Sequence, residues 1–344
     1  MKKFTKVLSV ILCLALVLTA FAACGGKDDA TTAPGDTSAP AATDTDKTYT
    51  VGICQLAPHV ALDAATKGFK EALTEKLGDK VTFDEQNAAG EANACATIVN
   101  KFVASKVDLI MANATPALQA AAAATSTIPI VGTSVTDYAT ALDMDVDSWT
   151  GKTGVNITGT ADCAPLEKQA EMILALVPDA KTVGIIYCSG EANSKFQVNA
   201  VKAYLEKKNI TVKEYPFADS NDITTVVTKA VSECDALYAP TDNKVADNTE
   251  VVNNIAEPAG IPLIAGEEGI CKGCGVATLS ISYYDIGYEA GMMAYDILVN
   301  GKNPAEMEIG YSSNLVEKYV KDRAEALKIT IPEGYEEIVV EADK

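Results

Sequence analysis

The stretch Val51-Gly52-Ile53-Cys54 recurs 132 residues further on as Val183-Gly184-Ile185-Ile186, and both are short apolar runs typical of buried strands. The step Ile128-Pro129-Ile130-Val131 recurs in the same order, after 133 residues, as Ile261-Pro262-Leu263-Ile264. A third matched pair comprises residues 108–114 and 235–241. Because three matches keep one order and a nearly constant offset, they predict two similar lobes, with chance likeness of apolar strands as the alternative.

A helical pattern follows the first of these strands. Leu62, Ala65, Phe69, Leu73 and Leu77 are spaced by three or four residues, which places them on one face of a helix. Strands that alternate with amphipathic helices assemble into parallel sheets covered by those helices. The sequence therefore predicts an α/β protein with two Rossmann-like lobes.

The composition excludes several classes of function. The 344 residues carry 28 Lys and Arg against 47 Asp and Glu, a net charge of −19 that disfavours nucleic acid as a partner. His59 is the only histidine and Arg323 the only arginine, so a multi-histidine metal site is excluded and histidine-driven catalysis has one candidate. We expect no metal, no cofactor and no enzymatic activity.

The start of the chain resembles a secretion signal. Three lysines precede an apolar run over residues 7–21, which is too short to favour a permanent membrane span. The stretch Leu18-Thr19-Ala20-Phe21-Ala22-Ala23-Cys24 is similar to a bacterial lipobox. We expect a signal peptide over 1–23, lipidation of Cys24 with palmitate among its acyl chains, and a flexible tether over 24–47 to the outer face of the cell membrane. An ordinary signal peptide with a chance cysteine is the alternative.

Polar loops follow the predicted strands in both halves of the chain. In open parallel sheets, ligands bind beyond the carboxyl ends of the strands, so these loops are where a solute would be held. The candidate ligand-binding residues are Gln55, His59, Asn113, Thr115, Ser134, Thr136 and Asp137 in the first lobe, and Glu191, Asn193, Thr241, Asp242, Asn243 and Glu267 in the second. Two such lobes facing each other would enclose a small solute.

Seven ordered segments carry a resemblance to a known family. They are residues 61–69, 113–117, 133–137, 190–194, 240–243, 261–266 and 283–287. Over about residues 49–335 the sequence resembles the ABC-transporter substrate-binding proteins of the tryptophan/tyrosine-binding family, which have the type I periplasmic-binding-protein fold. The resemblance implies a receptor that captures a small zwitterionic ligand, expected to be an aromatic amino acid, and delivers it to a membrane permease with a cytoplasmic ATPase.

The same resemblance implies how the chain is divided. The fold has a three-stranded hinge, which we expect to be crossed first near residues 155–159 and next near 280–283. The N-terminal lobe is then 48–157 plus 283–311, and the C-terminal lobe is 158–282 plus 312–344. We expect the protein to be a monomer whose lobes close as rigid bodies.

An amino-acid ligand needs partners for its carboxylate and its ammonium. Hydroxyls and backbone N–H groups at Thr115, Ser134 and Thr136 suit the carboxylate, since the single arginine is far along the chain. Asp242 is the leading candidate for the ammonium, ahead of Asp137 and Glu267. Helix capping is the alternative for Thr115, Asp242 and Asn243, and Asp137 is better explained by its own turn. Aromatic contacts have candidates that could equally be core residues, namely Tyr187, Tyr238, Tyr283 and Tyr284.

Other functions have weaker support. A sugar or nucleoside receptor on the same fold would favour stacking aromatic rings, but Trp149 is the only tryptophan and lies in a polar loop. An extracellular hydrolase could use paired carboxylates, yet no nucleophile elbow or zinc motif accompanies them. Cys271 and Cys274 lack a second close pair for zinc, and they are either disulfide-bonded or buried thiols. An adhesive or signalling role stays open.

Overall fold

The structure is a computed structural model, and it describes residues 47–340. The predicted signal peptide, the predicted lipidation site at Cys24 and the predicted tether up to residue 46 lie outside the described residues. Within 47–340, every helix is too short or too polar to cross a membrane.

Thirteen strands and twelve α-helices alternate along residues 47–340. The strands are β1 (Tyr49–Gln55), β2 (Val81–Asn87), β3 (Leu109–Asn113), β4 (Ile130–Val135), β5 (Ile157–Ala161), β6 (Thr182–Cys188), β7 (Thr211–Phe217), β8 (Ala236–Ala239), β9 (Leu263–Ala265), β10 (Ala277–Ser280), β11 (Gly310–Tyr311), β12 (Val316–Tyr319) and β13 (Glu336–Glu337). The helices are α1 (Val60–Leu77), α2 (Ala92–Ser105), α3 (Thr115–Ala124), α4 (Tyr138–Ala141), α5 (Leu166–Leu176), α6 (Ala192–Lys207), α7 (Ile223–Glu233), α8 (Asn243–Ala246), α9 (Thr249–Ala256), α10 (Glu268–Cys274), α11 (Tyr283–Leu298) and α12 (Lys321–Ala326).

Two sheets form the centres of two lobes, which confirms the predicted fold class. The first sheet has the order β11-β5-β4-β3-β1-β2 and is parallel throughout. The second has the order β13-β12-β10-β9-β8-β6-β7 and is parallel except where β12 runs against β10. The strand order reverses between β1 and β3 in one sheet and between β6 and β8 in the other. Such reversals open a crevice at the carboxyl ends of the strands, where ligands bind.

The chain crosses between the sheets three times, at residues 162–165, 281–282 and 312–315. The crossing predicted near 155–159 overlaps β5, and the structure pairs β5 with β4 and β11 in the first sheet. All five residues of β5 are buried, so the strand stays with its sheet and the crossing follows it. This shift brings Asp162 to the junction of the lobes.

Helices α1 and α11 pack unusually closely in the first lobe. A Cβ on Gly287 would lie 2.1 Å from the carbonyl oxygen of Ala65, and one on Gly68 would lie 2.2 Å from that of Tyr284. Only glycine allows the two backbones to approach this far. Helix α1 begins directly after His59, so this contact positions one side of the crevice.

Candidate ligand-binding site

A small cavity lies between the lobes, at the carboxyl ends of the strands. Its lining residues are His59, Leu62, Ser134, Thr136, Asp162, Asn193, Thr241, Asp242, Asn243, Ala246, Glu267 and Tyr283. Eight of the predicted residues are among them, whereas Gln55, Asn113, Thr115, Asp137 and Glu191 are not. Leu62, Asp162 and Ala246 were not candidates in the sequence, and Tyr283 was only a possible aromatic contact. The structure thus brings residues of both lobes and of the crossing region together.

The lobes touch across this cavity. The hydroxyls of Thr136 and Thr241 lie 3.3 Å apart, and Nε2 of His59 lies 3.4 Å from Oδ1 of Asn243. Each pair joins a first-lobe loop to a second-lobe loop, so the structure represents a closed arrangement of the lobes.

Ser134 lies on a distorted part of β4. The pairing of β4 with β5 shifts register between Gly132 and Val135, and Ser134 has φ +54°, a left-handed conformation that is costly for serine. A bulge of this kind turns a side chain away from the regular pleat. The Ser134 hydroxyl is buried and has no hydrogen-bond partner among residues 47–340.

Gln55 and Asn113 support the cavity from outside its lining. The Asn113 amide donates to the carbonyl of Leu62 at 2.8 Å and to the hydroxyl of Thr66 at 2.9 Å. Gln55 accepts from that same hydroxyl at 2.6 Å and donates to Asp63 at 2.6 Å. The two residues therefore fasten the first turns of α1 to the ends of β1 and β3. Their hydrogen bonds position Leu62 rather than a ligand.

Asp137 also acts within its own segment. Its carboxylate accepts from the backbone N–H of Thr140 at 2.7 Å and forms the N-cap of α4. Thr115 is buried and is the first residue of α3. Neither residue lines the cavity.

Both carboxylate oxygens of Asp242 accept hydrogen bonds from residues of its own lobe. Oδ1 accepts from the N–H of Val245 at 2.9 Å, as the N-cap of α8, and Oδ2 accepts from the N–H of Cys188 at 2.6 Å and the hydroxyl of Ser194 at 2.7 Å. Glu191 is used in the same way, because it accepts from the N–H groups of Asn243 and Lys244, each at 3.1 Å. These two carboxylates therefore hold the loops after β6 and β8 together.

Asn193 retains one free acceptor beside those loops. Its amide nitrogen donates to Glu191 at 3.0 Å and to the carbonyl of Thr241 at 2.9 Å. Its Oδ1 is buried and has no partner within the described part of the chain. The side-chain amide of Gln197 donates to the hydroxyl of Thr241 at 2.5 Å and so holds Thr241 in place.

Asp162 is the functional candidate that sequence reasoning missed. It follows β5 in the first crossing, where its Oδ2 accepts from the hydroxyl of Tyr283 at 3.0 Å. Its Oδ1 is buried without a hydrogen-bond partner among residues 47–340. Residues 155–159 were expected to be a hinge crossing, so Asp162 was not recognised as the residue that follows a strand. With β5 ending at Ala161, Asp162 lies at the carboxyl end of a strand, as the other candidates do.

The cavity is acidic and its lining contains no lysine or arginine. Burial raises the pKa of Glu267 to about 7, although the N–H groups of Gly269 and Ile270 donate to this carboxylate as the N-cap of α10. Burial likewise raises the pKa of Asp162 and of Asp242. Burial lowers the pKa of His59, which keeps its imidazole neutral. A cationic group on a ligand would relieve this excess of buried negative charge.

This electrostatic arrangement predicts that the unliganded protein loses stability between about pH 5 and 7.5. Burial raises the pKa of Glu191 and of Glu267 from 4.5 to about 7, so the folded state binds protons more tightly than the unfolded state. Their stabilisation is present below pH 4.5 and is lost as the pH rises through about 7. His59 acts in the opposite sense below pH 6.5, because burial lowers its pKa, but it is one group against these two carboxyl groups. We expect the melting temperature to fall by a few degrees across this window.

Calorimetric melts of the unliganded protein at half-unit pH steps would measure this fall. The Glu267→Gln variant removes one of the two titrating groups and should give a shallower slope. A melting temperature that stays level or rises from pH 5 to 7.5 would contradict the proposed charge state of the cavity.

A wider groove adjoins the cavity and shares Glu267 and Tyr283 with it. Three of its polar residues pair with each other: Glu268 accepts from the hydroxyl of Ser280 at 2.7 Å and from the ammonium of Lys318 at 2.8 Å. Among residues 47–340, no residue that lines this groove has an unpartnered buried polar atom. The smaller cavity is therefore the better candidate site.

Metal and thiol chemistry have little basis in the described residues. No group of three or more His, Cys, Asp and Glu side chains there could hold a metal ion. Cys271 and Cys274 are both buried free thiols on α10, and burial raises the pKa of Cys274 to about 12. Their spacing thus reflects packing in the second lobe.

Comparisons with known proteins agree with this geometry. A family model described as ABC transporter substrate binding protein matches residues 50–344. The tyrosine-binding protein of Clostridioides difficile (strain R20291) is 36% identical over 312 residues, which are 90% of this chain and 88% of that protein.

Two solved structures differ in how well they superpose. An ABC domain in complex with L-Trp from Streptococcus pneumoniae is 33% identical and superposes with a TM-score of 0.80, covering 85% of this chain and 100% of that chain. The ligand-free, open structure of a substrate-binding protein with adhesive properties from Clostridium difficile is 35% identical, with the same coverage, but its TM-score is 0.64. At nearly equal identity the ligand-bound structure is the more similar one, which agrees with the contacts across the cavity. The chain belongs to the ABC transporter substrate-binding protein family, the extracytoplasmic receptors with the type I periplasmic-binding-protein fold.

Proposed function

We propose that this protein is a lipid-anchored receptor that captures an aromatic L-amino acid between its lobes. The observation that carries the proposal is that three residues lining one cavity each have an unpartnered buried atom: Oγ of Ser134, Oδ1 of Asp162 and Oδ1 of Asn193. An unsatisfied buried polar atom costs about 1–3 kcal/mol. Three of them, from separate elements, are best explained by a polar ligand that completes their hydrogen bonds.

The chemistry of these atoms favours a zwitterion. The hydroxyls of Ser134 and Thr136 can donate to a carboxylate on the first-lobe side. The acceptor oxygens of Asp162 and Asn193 suit an ammonium group, and Asp162 adds a charge that has no cation beside it in the lining. A neutral sugar would leave that carboxylate uncompensated, which argues against the sugar-receptor alternative.

The rest of the lining favours a large apolar side chain. Leu62, Ala246 and the ring of Tyr283 present carbon surface, and the neutral imidazole of His59 can stack on an aromatic ring. The relative named for tyrosine and the neighbour bound to L-Trp support the same substrate class.

We further propose that the protein works as a monomer and hands its ligand to the permease of an ABC importer, which is driven by a cytoplasmic ATPase. The two predicted lobes, with the first boundary moved from 157/158 to the crossing at 162–165, would open and close about the three crossings. The stretch before Cys24 supports cleavage there and lipidation of the cysteine. Mass spectrometry of the mature N-terminus would test this anchor.

Calorimetric titration of the mature soluble domain against the twenty amino acids tests the ligand. We expect tyrosine, tryptophan or phenylalanine to bind with a Kd of about 1 μM or below, and glucose and ribose to give no heat. Ser134→Ala should weaken binding about tenfold because the carboxylate loses a donor, whereas Ser220→Ala, on an exposed turn, should not. Flat titrations with all three aromatic amino acids would rule out the proposed ligand.

A further inference from the structure

We propose that Asp162, together with Tyr283, makes the primary ammonium of the ligand the signal for lobe closure, so that the site selects amino acids over their deaminated acids. This inference rests on the proposed function, because it assigns one group of the proposed ligand to one side chain.

The position of Asp162 links the ligand to the hinge. Asp162 belongs to the first crossing (162–165), and Tyr283 directly follows the second (281–282). The 3.0 Å hydrogen bond from the Tyr283 hydroxyl to Oδ2 of Asp162 ties these two crossings together. The other oxygen, Oδ1, has no partner among the described residues, and Asp162 is one of the residues that line the cavity. One carboxylate therefore contacts the moving region with one oxygen and offers the other to the ligand.

The surroundings of Asp162 provide no counter-charge. The groups that interact with it are the hydroxyls of Thr136, Tyr138 and Tyr283, the thiol of Cys163 and the carboxyl of Glu267. All of these are neutral or acidic. Asp162 is only 5% exposed in the closed arrangement, so closure without a cation leaves a buried and unpaired carboxyl group.

A ligand ammonium changes this balance. In an open arrangement of the lobes, Asp162 would be more exposed to water and an ion pair with the ligand would be weak. Closure excludes water and strengthens the pair, so the ammonium stabilises the closed state more than the open state. A deaminated acid can still meet Ser134 and Thr136, but it lacks the group that favours closure. The other cavity carboxylates, Asp242 and Glu267, gain less from an ammonium because backbone N–H groups already donate to both oxygens of each.

The pairing of Asp162 with the ammonium is tested by comparing an amino acid with its deaminated acid, in the wild-type protein and in Asp162→Asn. The ligands are L-tyrosine and 3-(4-hydroxyphenyl)propionate, with L-tryptophan and 3-(indol-3-yl)propionate as a second pair. For the wild-type protein we expect deamination to weaken binding about 100-fold, as for a buried charge pair. In Asp162→Asn, the affinity for the amino acid should fall by a similar factor. The affinities of this variant for the amino acid and for its deaminated acid should then differ by less than about fivefold. Asp137→Asn, a matched change at a carboxylate outside the cavity, should behave as wild type.

Closure is measured separately by small-angle X-ray scattering. The amino acid should reduce the radius of gyration of the wild-type protein, and the deaminated acid should not, even at saturation. Tyr283→Phe keeps the charge of Asp162 but removes the link between the crossings, so it should bind L-tyrosine within about tenfold of wild type and compact less.

Two results would overturn the inference while leaving the proposed function intact. One is an unchanged ratio of the two affinities in Asp162→Asn, and the other is equal compaction by both ligands. If the wild-type protein binds neither aromatic amino acid, the proposed function itself fails and the inference fails with it. Asp162→Asn is expected to fold, since it removes an unpaired buried charge, and its thermal melt would verify this.

Discussion

Replacing Gly287 by valine should lower the free energy of unfolding by about 3 kcal/mol or more. A Cβ at this position would lie 2.1 Å from the carbonyl oxygen of Ala65 and 2.6 Å from its Cα, so helices α1 and α11 would have to separate. Their contact continues at Gly291, where a Cβ would lie 2.6 Å from the carbonyl oxygen of Phe69. Separation along this length would loosen the apolar core between the helices and the first sheet. Urea unfolding of the soluble domain measures the loss.

Gly190→Ala is the matched control for this substitution. A methyl group there has only the sulfur of Cys188 within 4 Å, at 3.8 Å, and we expect a change below about 1 kcal/mol. Gly287→Val should also weaken ligand binding in whatever fraction folds, because a shift of α1 displaces His59 and Leu62 at the cavity. A stability within 1 kcal/mol of wild type would show that the helices can separate at little cost.

Replacing Arg323 by methionine should destabilise the protein by about 3 kcal/mol. Its guanidinium is mostly buried and donates to the carbonyls of Cys271, Lys272, Gly273 and Gly275 at 2.7–3.0 Å, and to Asn253 at 3.0 Å. These carbonyls lie at the C-terminal end of α10 or just beyond it, where helical N–H partners run out. Among the four, the carbonyl of Cys271 also accepts from the backbone N–H of Gly275 at 2.9 Å. Methionine would fill the volume but leave several buried acceptors unsatisfied.

Helix α10 connects Arg323 to the cavity, since Glu267 is the N-cap of the same helix. We therefore expect Arg323→Met to weaken ligand binding as well as to lower stability. Arg323→Lys should be almost as unstable as Arg323→Met, because a lysine ammonium cannot reach all five acceptors that surround the planar guanidinium. Lys302→Met is the control: Lys302 pairs with Asp296 at 2.7 Å on the surface, and its loss should cost less than about 1 kcal/mol. An equal effect of both substitutions would contradict the role given to Arg323.

Much of the architecture could be predicted from local patterns. The runs at Val51 and Val183 became the equivalent strands β1 and β6, and the apolar stripe that begins at Leu62 became α1. The segments after β1 and β6 supplied His59 and Asn193, and those after β4, β8 and β9 supplied Thr136, residues 241–243 and Glu267. Such features depend on residues that are near one another in the chain, which is why periodicity and strand ends reveal them.

The different roles of the four carboxylates at the strand ends could not be predicted. Asp242, Glu191 and Glu267 share with Asp162 a position at the end of a strand, so the sequence offers no way to rank them. The first three accept hydrogen bonds from backbone N–H groups, whereas Asp162 keeps a free oxygen at the cavity. Which oxygen is free depends on the three-dimensional approach of donors from other segments.

The sequence by itself determined that the chain forms two α/β lobes and that polar loops follow the strands of both, because apolar runs, helical stripes and loop composition are local properties. Only the tertiary structure decided that Asp162 and Tyr283 meet between two crossings, 121 residues apart in the chain, and that Asp242 is part of the scaffold. The physical reason is that a buried polar group is defined by its partners. Those partners come from distant segments, and they are known only when the chain has folded.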